Sequence, residues 1–525
     1  MAAPPIRLPP IRLPPVRLPP VHLLQAGRAG LAGGLVLAAV VVALLAPFLG
    51  ADPPHQLTSS NALVTDEGFN LGNARQRALV GAFATGDVDR SLTNGVYSAG
   101  AALVFRLTEP TLAAGRSVSV AATALAVLLL AVGLAGPLGR AAALLSAAAL
   151  AGANLVLEYG RLGMVEPTVV ALLTGGYVAA VHTLRRRSPP VGAGCGLLLA
   201  AAVSAKAIAV APAVAILGVL LGSGLWRRDR RAVLAALAAL GAAAAAAAGW
   251  YLLVALPNLE RLRIALRIWP AVTYPHTPAD VLDRLGAYAA FNDQALARSG
   301  PLLLAAVVGL GALALGWRSL GPAARAALVM AGLWGFGLWL AVAVGSYSPN
   351  RYIVPALPGM AVLAGFGLAS LAGRLRPDGG WARVALVAGL GLLVAVPGAG
   401  RHLGDAASSG RQREQDQRVL AAALPADAVV LGNYAPTLLF DTRLELLTVW
   451  PSAGANADDP VARFGATHVL AAAVGDRTDP TLAIPSLRRL RYQVALPRVR
   501  WGRHTLQLLQ LRPTPPPPTP RSEAG

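Results

Sequence analysis

Long apolar runs separated by short polar breaks fill the chain from Ala29 to about residue 400. The first uninterrupted run, Ala29 to Ala51, is long enough to cross about 30 Å of hydrocarbon as a helix. A signal-peptide core would span only about 7–15 residues, so this run reads as a retained anchor. Further spans are expected at 116–136, 141–157, 164–183, 192–204, 207–222, 232–256, 300–316, 324–345, 352–372 and 382–398. Val96 to Leu107 is too short to cross and is expected to lie along the membrane surface.

The breaks carry the orientation. Arginines gather at Arg140, Arg185–Arg187, Arg227–Arg231, Arg318–Arg325 and Arg374–Arg383, as they do in cytoplasmic loops of membrane proteins. The stretch from Val191 to Gly224 is flanked by arginines on both sides, so it must cross an even number of times. Two short helices meeting near Ser204–Lys206 satisfy that condition. The alternation then predicts eleven crossings in an inner, plasma-type membrane, with the N-terminus cytoplasmic and the C-terminus outside.

Two long segments fall on the outer side. Pro257 to Gly300 reads as a loop with an amphipathic helix over Pro278–Ala290. From about Arg401 the pattern turns mixed: helix over Glu414–Ala423, strand over Ala428–Leu431, a short helix over Pro436–Phe440, and strands over Thr467–Ala473 and Thr505–Leu511. The expected organisation is a Pro/Arg arm over 1–27, a membrane domain over 28–400, an extracytoplasmic α/β domain over 401–511, and a disordered tail over 512–525. The arm repeats PPIRL, PPIRL, PPVRL, PPVHL from Pro4 to Leu23. Paired prolines exclude a helix, and the arginines suit an anionic lipid surface.

Composition agrees with the pattern. Of 525 residues 55% are hydrophobic and 13% charged, about half the charge of a soluble domain. The net charge of +20 does not point to nucleic acid, because its arginines sit in loop blocks and no basic face is interleaved with stacking aromatics. One cysteine, Cys195, lies in an apolar run and excludes an internal disulfide.

Ionisable groups at membrane spans are costly and mark function by default. The topology puts several on one side: Asp66 and Glu67 in the first outer loop, Arg161 and Glu166 in YGRLGMVEP, Lys206 in VSAKAIAV, His276 in the long outer loop, and Arg351 with Tyr352 in SPNRYIVPALPG. Together they suit transfer from a lipid-linked phosphate. Lys206 and Arg351 would hold the phosphate as it leaves. Asp66 would take the proton of an acceptor hydroxyl, and Glu166 would orient the acceptor or tune Asp66. No GxxxxGK[ST] loop is present, so nucleotide chemistry is not supported, and no residue pair has metal-ligand spacing.

Four stretches in order carry a family resemblance: TDEGFNLGNARQRALVGAFATGD, GRLGMVEPTVVALL, LLLAAAVSAKAIAVAPAVAIL and NRYIVPALPGMAVLAGFGLA. They resemble the membrane-embedded GT-C superfamily, in the branch of protein O-mannosyltransferases and lipid A aminoarabinose transferases, over residues 28 to 400. The resemblance implies a polytopic α-helical GT-C fold and an inverting, cofactor-independent glycosyltransferase. Its donor would be a polyprenyl-phosphate sugar, and its acceptor an exported protein, glycan or lipid. By the same resemblance Asp66 and Glu166 match the catalytic acidic positions, and Lys206 and Arg351, beside Tyr352, match donor-phosphate contacts. Glu67, Arg161, Tyr97 and His276 are expected to support the site or the acceptor. Tyr97, in NGVYSAG, lies where relatives carry a proline-rich aromatic stretch, and Glu166 stands where many carry Asp. Two other readings compete. A lipid-substrate transporter predicts repeats and midplane polar groups, and a scaffold predicts tolerance to loss of Asp66.

Overall fold

The computed structural model describes residues 28–54, 57, 66–267, 272–375, 380–448, 459–472, 481, 487, 491–501 and 504–512. The PPIRL arm and the segment after residue 512 lie outside the described residues. The first half of the chain forms α1 (Arg28–Leu45), α2 (Asp66–Val80), α3 (Gly95–Leu107), α4 (Leu112–Gly133), α5 (Arg140–Ala151), α6 (Asn154–Gly160), α7 (Glu166–Arg186), α8 (Pro189–Ala205), α9 (Val210–Trp226) and α10 (Arg230–Trp250). There follow α11 (Leu259–Arg267), α12 (Pro278–Phe291), α13 (Asp293–Gly316), α14 (Pro322–Gly332), α15 (Leu338–Ala343), α16 (Leu357–Leu375) and α17 (Gly380–Ser408). The remaining helices, α18 (Gln412–Ala422), α19 (Ala435–Leu438) and α20 (Pro460–Phe464), belong to a small sheet-containing unit.

The chain is a multi-pass membrane protein. Among the described residues nine helical stretches are long and apolar enough to cross a bilayer, and α5 with α6, bent by 60°, makes a tenth. The eleventh expected pass corresponds to α8, 17 residues long, at the lower limit for a span. It packs lengthwise between α7 and α10. Gly192 and Gly196 allow that approach, since a Cβ on either would meet the Ala235 or Ala239 carbonyl of α10. α8 ends at Ala205, Lys206 is extended, and a 3₁₀ turn at Ala207–Ala209 leads into α9, which is the expected hairpin. The short apolar helix α3 has Val96, Leu103 and Leu107 exposed.

Two elements differ from the sequence reading. Asp66 and Glu67 were expected in a loop, yet they open the 15-residue helix α2. Glycines and polar residues hide its period, and it is held by tertiary contacts rather than by propensity. The expected loop after Pro257 instead begins with a helical extension to Arg267. A π turn at Tyr251–Ala255 and a 3₁₀ turn at Leu256–Asn258 accommodate the proline.

The small unit holds a five-stranded sheet of β1 (Val429–Leu431), β2 (Glu445–Leu447), β3 (His468–Ala472), β4 (Arg491–Trp501) and β5 (His504–Arg512), in the order β2-β1-β3-β5-β4. β2, β1 and β3 run parallel, while β5 and β4 are antiparallel. The sequence reading missed the two outermost strands. β2 has only three residues, and β4 contains Pro497 within a register shift between Val494 and Arg498, which only an edge strand tolerates. The helix α17 joins bundle and sheet unit without a break at residue 401.

Candidate active site

Five of the residues singled out in the sequence meet at one end of the helix bundle. Arg351 Nη1 lies 3.0 Å from Asp66 Oδ2, and its Nε lies 3.8 Å from Glu166 Oε1. Lys206 Nζ donates to the same Glu166 oxygen. Tyr352 backs both cations, with Lys206 Nζ 4.6 Å and Arg351 Cζ 5.5 Å from its ring centroid. Arg351 also donates to the Tyr347 hydroxyl at 3.0 Å. Asp66, Lys206 and Arg351 line a recess together with Asn70, Arg90 and Asn94, while Glu166 and Tyr352 hold the two cations from behind the lining.

Local structure explains the placement. Asp66 and Glu166 stand in the first turns of α2 and α7, where the helix dipole favours a carboxylate. Lys206 sits where the backbone is extended between α8 and α9, so its side chain leaves the hairpin at the bundle end. Arg351 lies in a 3₁₀ segment, Asn350–Ala356, before α16. That segment is tied down by Trp334, whose Nε1 donates to the Pro355 carbonyl at 2.7 Å. The Trp334 ring packs at a tilt against Tyr177, with centroids 5.6 Å apart, and Trp334 belongs to a π turn, Leu333–Gly337.

The other expected residues have different surroundings. Glu67 is buried and holds Arg116 through two 2.7 Å bonds, and it also accepts from the Gly163 amide at 2.6 Å. Arg161 is buried too, pairing with Glu158 at 3.5 Å and donating to the Ala51 and Asp52 carbonyls. Both therefore brace the loops around the recess and do not face it. Tyr97 is fully buried within the bundle core. His276 is exposed beside the start of α12 and stands apart from the recess lining.

Sequence reasoning missed Arg90 and Arg116. Arg90 follows no apolar run, but it is buried in the recess wall, and Asn73 holds its backbone amide at 2.9 Å. The same 3₁₀ turn, Arg90–Leu92, is packed by Leu92 against Ala255 and Leu262 of the extended helix. Arg116 was placed at the edge of an expected span. Its pairing depended on Glu67 being turned inward by α2, which a loop assignment conceals.

The small unit grips α2 from the side away from the bundle. Arg75, 1% exposed, donates to the carbonyls of Phe440 at 2.7 Å, Thr442 at 2.6 Å and Leu444 at 2.9 Å. The Gly68 amide donates to Thr437 Oγ1 at 2.9 Å, and a Cβ on Gly68 would strike the Pro436–Thr437 backbone. Asp441 accepts from the Leu112 amide and pairs with Arg413, each within 2.7 Å.

No family model matches the sequence, and no curated protein matches it. The fold does match solved structures. Apo ArnT from Cupriavidus metallidurans aligns with a TM-score of 0.61 at 17% identity, over 91% of this chain and 98% of that one. The same protein bound to undecaprenyl phosphate aligns with a TM-score of 0.58 at 16% identity, over 90% and 97%. An oligosaccharyltransferase from Archaeoglobus fulgidus, in complex with zinc and sulfate, aligns with a TM-score of 0.52 at 11% identity, over 84% and 68%. The chain thus has the GT-C fold expected from its four sequence stretches.

Proposed function

We propose that this chain transfers a sugar from a polyprenyl-phosphate donor to an acceptor hydroxyl or amine, with inversion and with Asp66 as general base. The charge balance of the recess supports this reading most directly. Three cations of the lining, Arg90, Lys206 and Arg351, interact with two carboxylates, Asp66 in the lining and Glu166 behind it, leaving one net positive charge among these described residues. A sugar joined to a lipid through one phosphate carries a single negative charge. Likeness of fold to a protein solved with undecaprenyl phosphate supports the same donor class.

In the resting arrangement Arg351 neutralises Asp66. A donor phosphate competes for that guanidinium and releases Asp66 to act as a base. The acceptor oxygen then attacks the anomeric carbon from the face opposite the phosphate, and its proton passes to Asp66. The carbon–oxygen bond to phosphate breaks, with its electron pair left on the phosphate oxygen and stabilised by Lys206, Arg351 and Arg90. Glu166 holds Lys206 in place throughout.

The recess lies on the outer side of the membrane in this reading. The arginine-rich loops fall at the opposite bundle end, where Arg187 pairs with Asp229 at 2.8 Å across two of them. The test is binding of undecaprenyl phosphate to the purified full-length protein in nanodiscs. Wild type should bind, and Lys206→Met and Arg351→Met should each weaken binding at least tenfold. Equal binding by all three would overturn the phosphate assignment.

A further inference from the structure

A second cleft opens beside the recess, between α2, the loop that follows it, and β2 of the small unit. Phe69, Gly72 and Gln76 line it from α2, Thr85 from the loop, and Thr448 from the end of β2. Arg90 lines both the cleft and the recess, so the two cavities meet at this side chain. The spacing on α2 is what a single helix face requires: Phe69, Gly72 and Gln76 follow at three and four residues, while Asp66 and Asn70 point to the recess.

Gln76 is 5% exposed, and its Nε2 has no hydrogen-bond partner among the described residues. A buried amide left unbonded costs stability, and one that lines a cleft is poised for a ligand oxygen. The rest of the lining agrees. Thr85 and Thr448 are hydroxyl-bearing residues of the wall, and Gly72 leaves open space where a side chain would stand. No carboxylate lines the cleft among the described residues, so a cationic acceptor would find no counter-charge there. Arg75, the other cation in the wall, is already engaged with three carbonyls.

We infer that this cleft is the acceptor site and that it takes a hydroxyl-rich glycan, whose oxygens Gln76, Thr85 and Thr448 read while the reacting hydroxyl passes Arg90 toward Asp66. The inference rests on the transferase reading and names its acceptor. A peptide would use the open edge of β2 by strand addition, but β2 has three residues and offers too short a ladder. Side-chain hydroxyl and amide groups arranged around a glycine-lined floor suit a sugar ring better.

The experiment places the photoreactive residue benzoylphenylalanine at position 85 of the full-length protein in its native cells. Ultraviolet light should yield an adduct bearing a glycan. Gln76→Leu, and separately Thr448→Val, should reduce that adduct at least fivefold. Undecaprenyl phosphate binding by the purified variants should stay within twofold of wild type. An adduct with unglycosylated peptide, an adduct indifferent to both substitutions, or no adduct would overturn the inference. Failure of the transferase reading shows itself separately, as absence of undecaprenyl phosphate binding by the wild-type protein.

Discussion

Arg75 is buried and spends its guanidinium on three main-chain carbonyls of the small unit, so its replacement by methionine should release α2 from that unit. Methionine keeps the volume of the stem but supplies no donor. Hydrogen bonds to a charged group contribute about 1.5–3 kcal/mol each, although three on one guanidinium do not add fully. Leaving a buried carbonyl without its donor costs about 1–3 kcal/mol, so for three carbonyls that share one guanidinium about 3–5 kcal/mol is the expected loss of docking energy. At about 1.4 kcal/mol per power of ten, the undocked population should rise by about two to three and a half powers of ten. Hydrogen exchange on the full-length protein in nanodiscs reads this at α2 and at residues 440–447. Arg75→Met should lose protection in both segments together, while α4 and α7 keep theirs. Sugar transfer should fall with the docking, because Asp66 opens the same helix, whereas undecaprenyl phosphate binding through Lys206 and Arg351 should change less. Protection within threefold of wild type in both segments would refute the reasoning.

Other outcomes follow from the same contacts. Gly68→Ala should undock the small unit as Arg75→Met does, since its Cβ meets backbone that cannot move alone; unchanged exchange at α2 would contradict this. Trp334→Phe removes the 2.7 Å bond to Pro355 and leaves a buried carbonyl unpaired at a cost of about 1–3 kcal/mol. Thermal unfolding in detergent should show a lowered midpoint, with donor binding weakened through Arg351. Asp52 caps α18 from outside it, accepting the Gln412 amide at 2.6 Å and the Arg413 amide at 3.3 Å. Asp52→Ala should lower the unfolding midpoint by the equivalent of about 1 kcal/mol, and Asp52→Asn should retain most of it. Burial raises the Asp52 pKa from 3.8 against the opposing pull of those amides and of Arg116 and Arg413. The folded chain therefore binds this proton more readily than the unfolded chain. Its contribution to stability is fullest below 3.8 and declines as pH rises through the raised value. The wild-type minus Asp52→Asn difference in midpoint, followed against pH, should move in that direction.

Hydropathy and arginine placement made the membrane bundle legible, because span length and loop charge are local properties. They carried the paired short helices at Lys206 and brought Asp66, Glu166, Lys206, Arg351 and Tyr352 to one end. What escaped them was tertiary. α2 is polar and glycine-bearing, and it is a helix because Arg75 and Gly68 bond the small unit on one side while Glu67 meets Arg116 on the other. Arg90 enters the recess only because the helix after Pro257 continues and packs on Leu92. Glu67 and Arg161 share a membrane face with Asp66 but turn into the protein, a choice decided by partners far along the chain. β2 and β4 are too short or too proline-marked to stand out, and the sheet recruits them as edges.

Turnover by Asp66→Asn tests the central claim most directly. The measurement is sugar release from a polyprenyl-phosphate donor by the purified full-length variant, beside undecaprenyl phosphate binding on the same sample. The account predicts turnover at least a thousandfold below wild type with phosphate binding retained, since Lys206, Arg351 and Arg90 remain. Turnover within tenfold of wild type in a protein that still binds the lipid phosphate would contradict it.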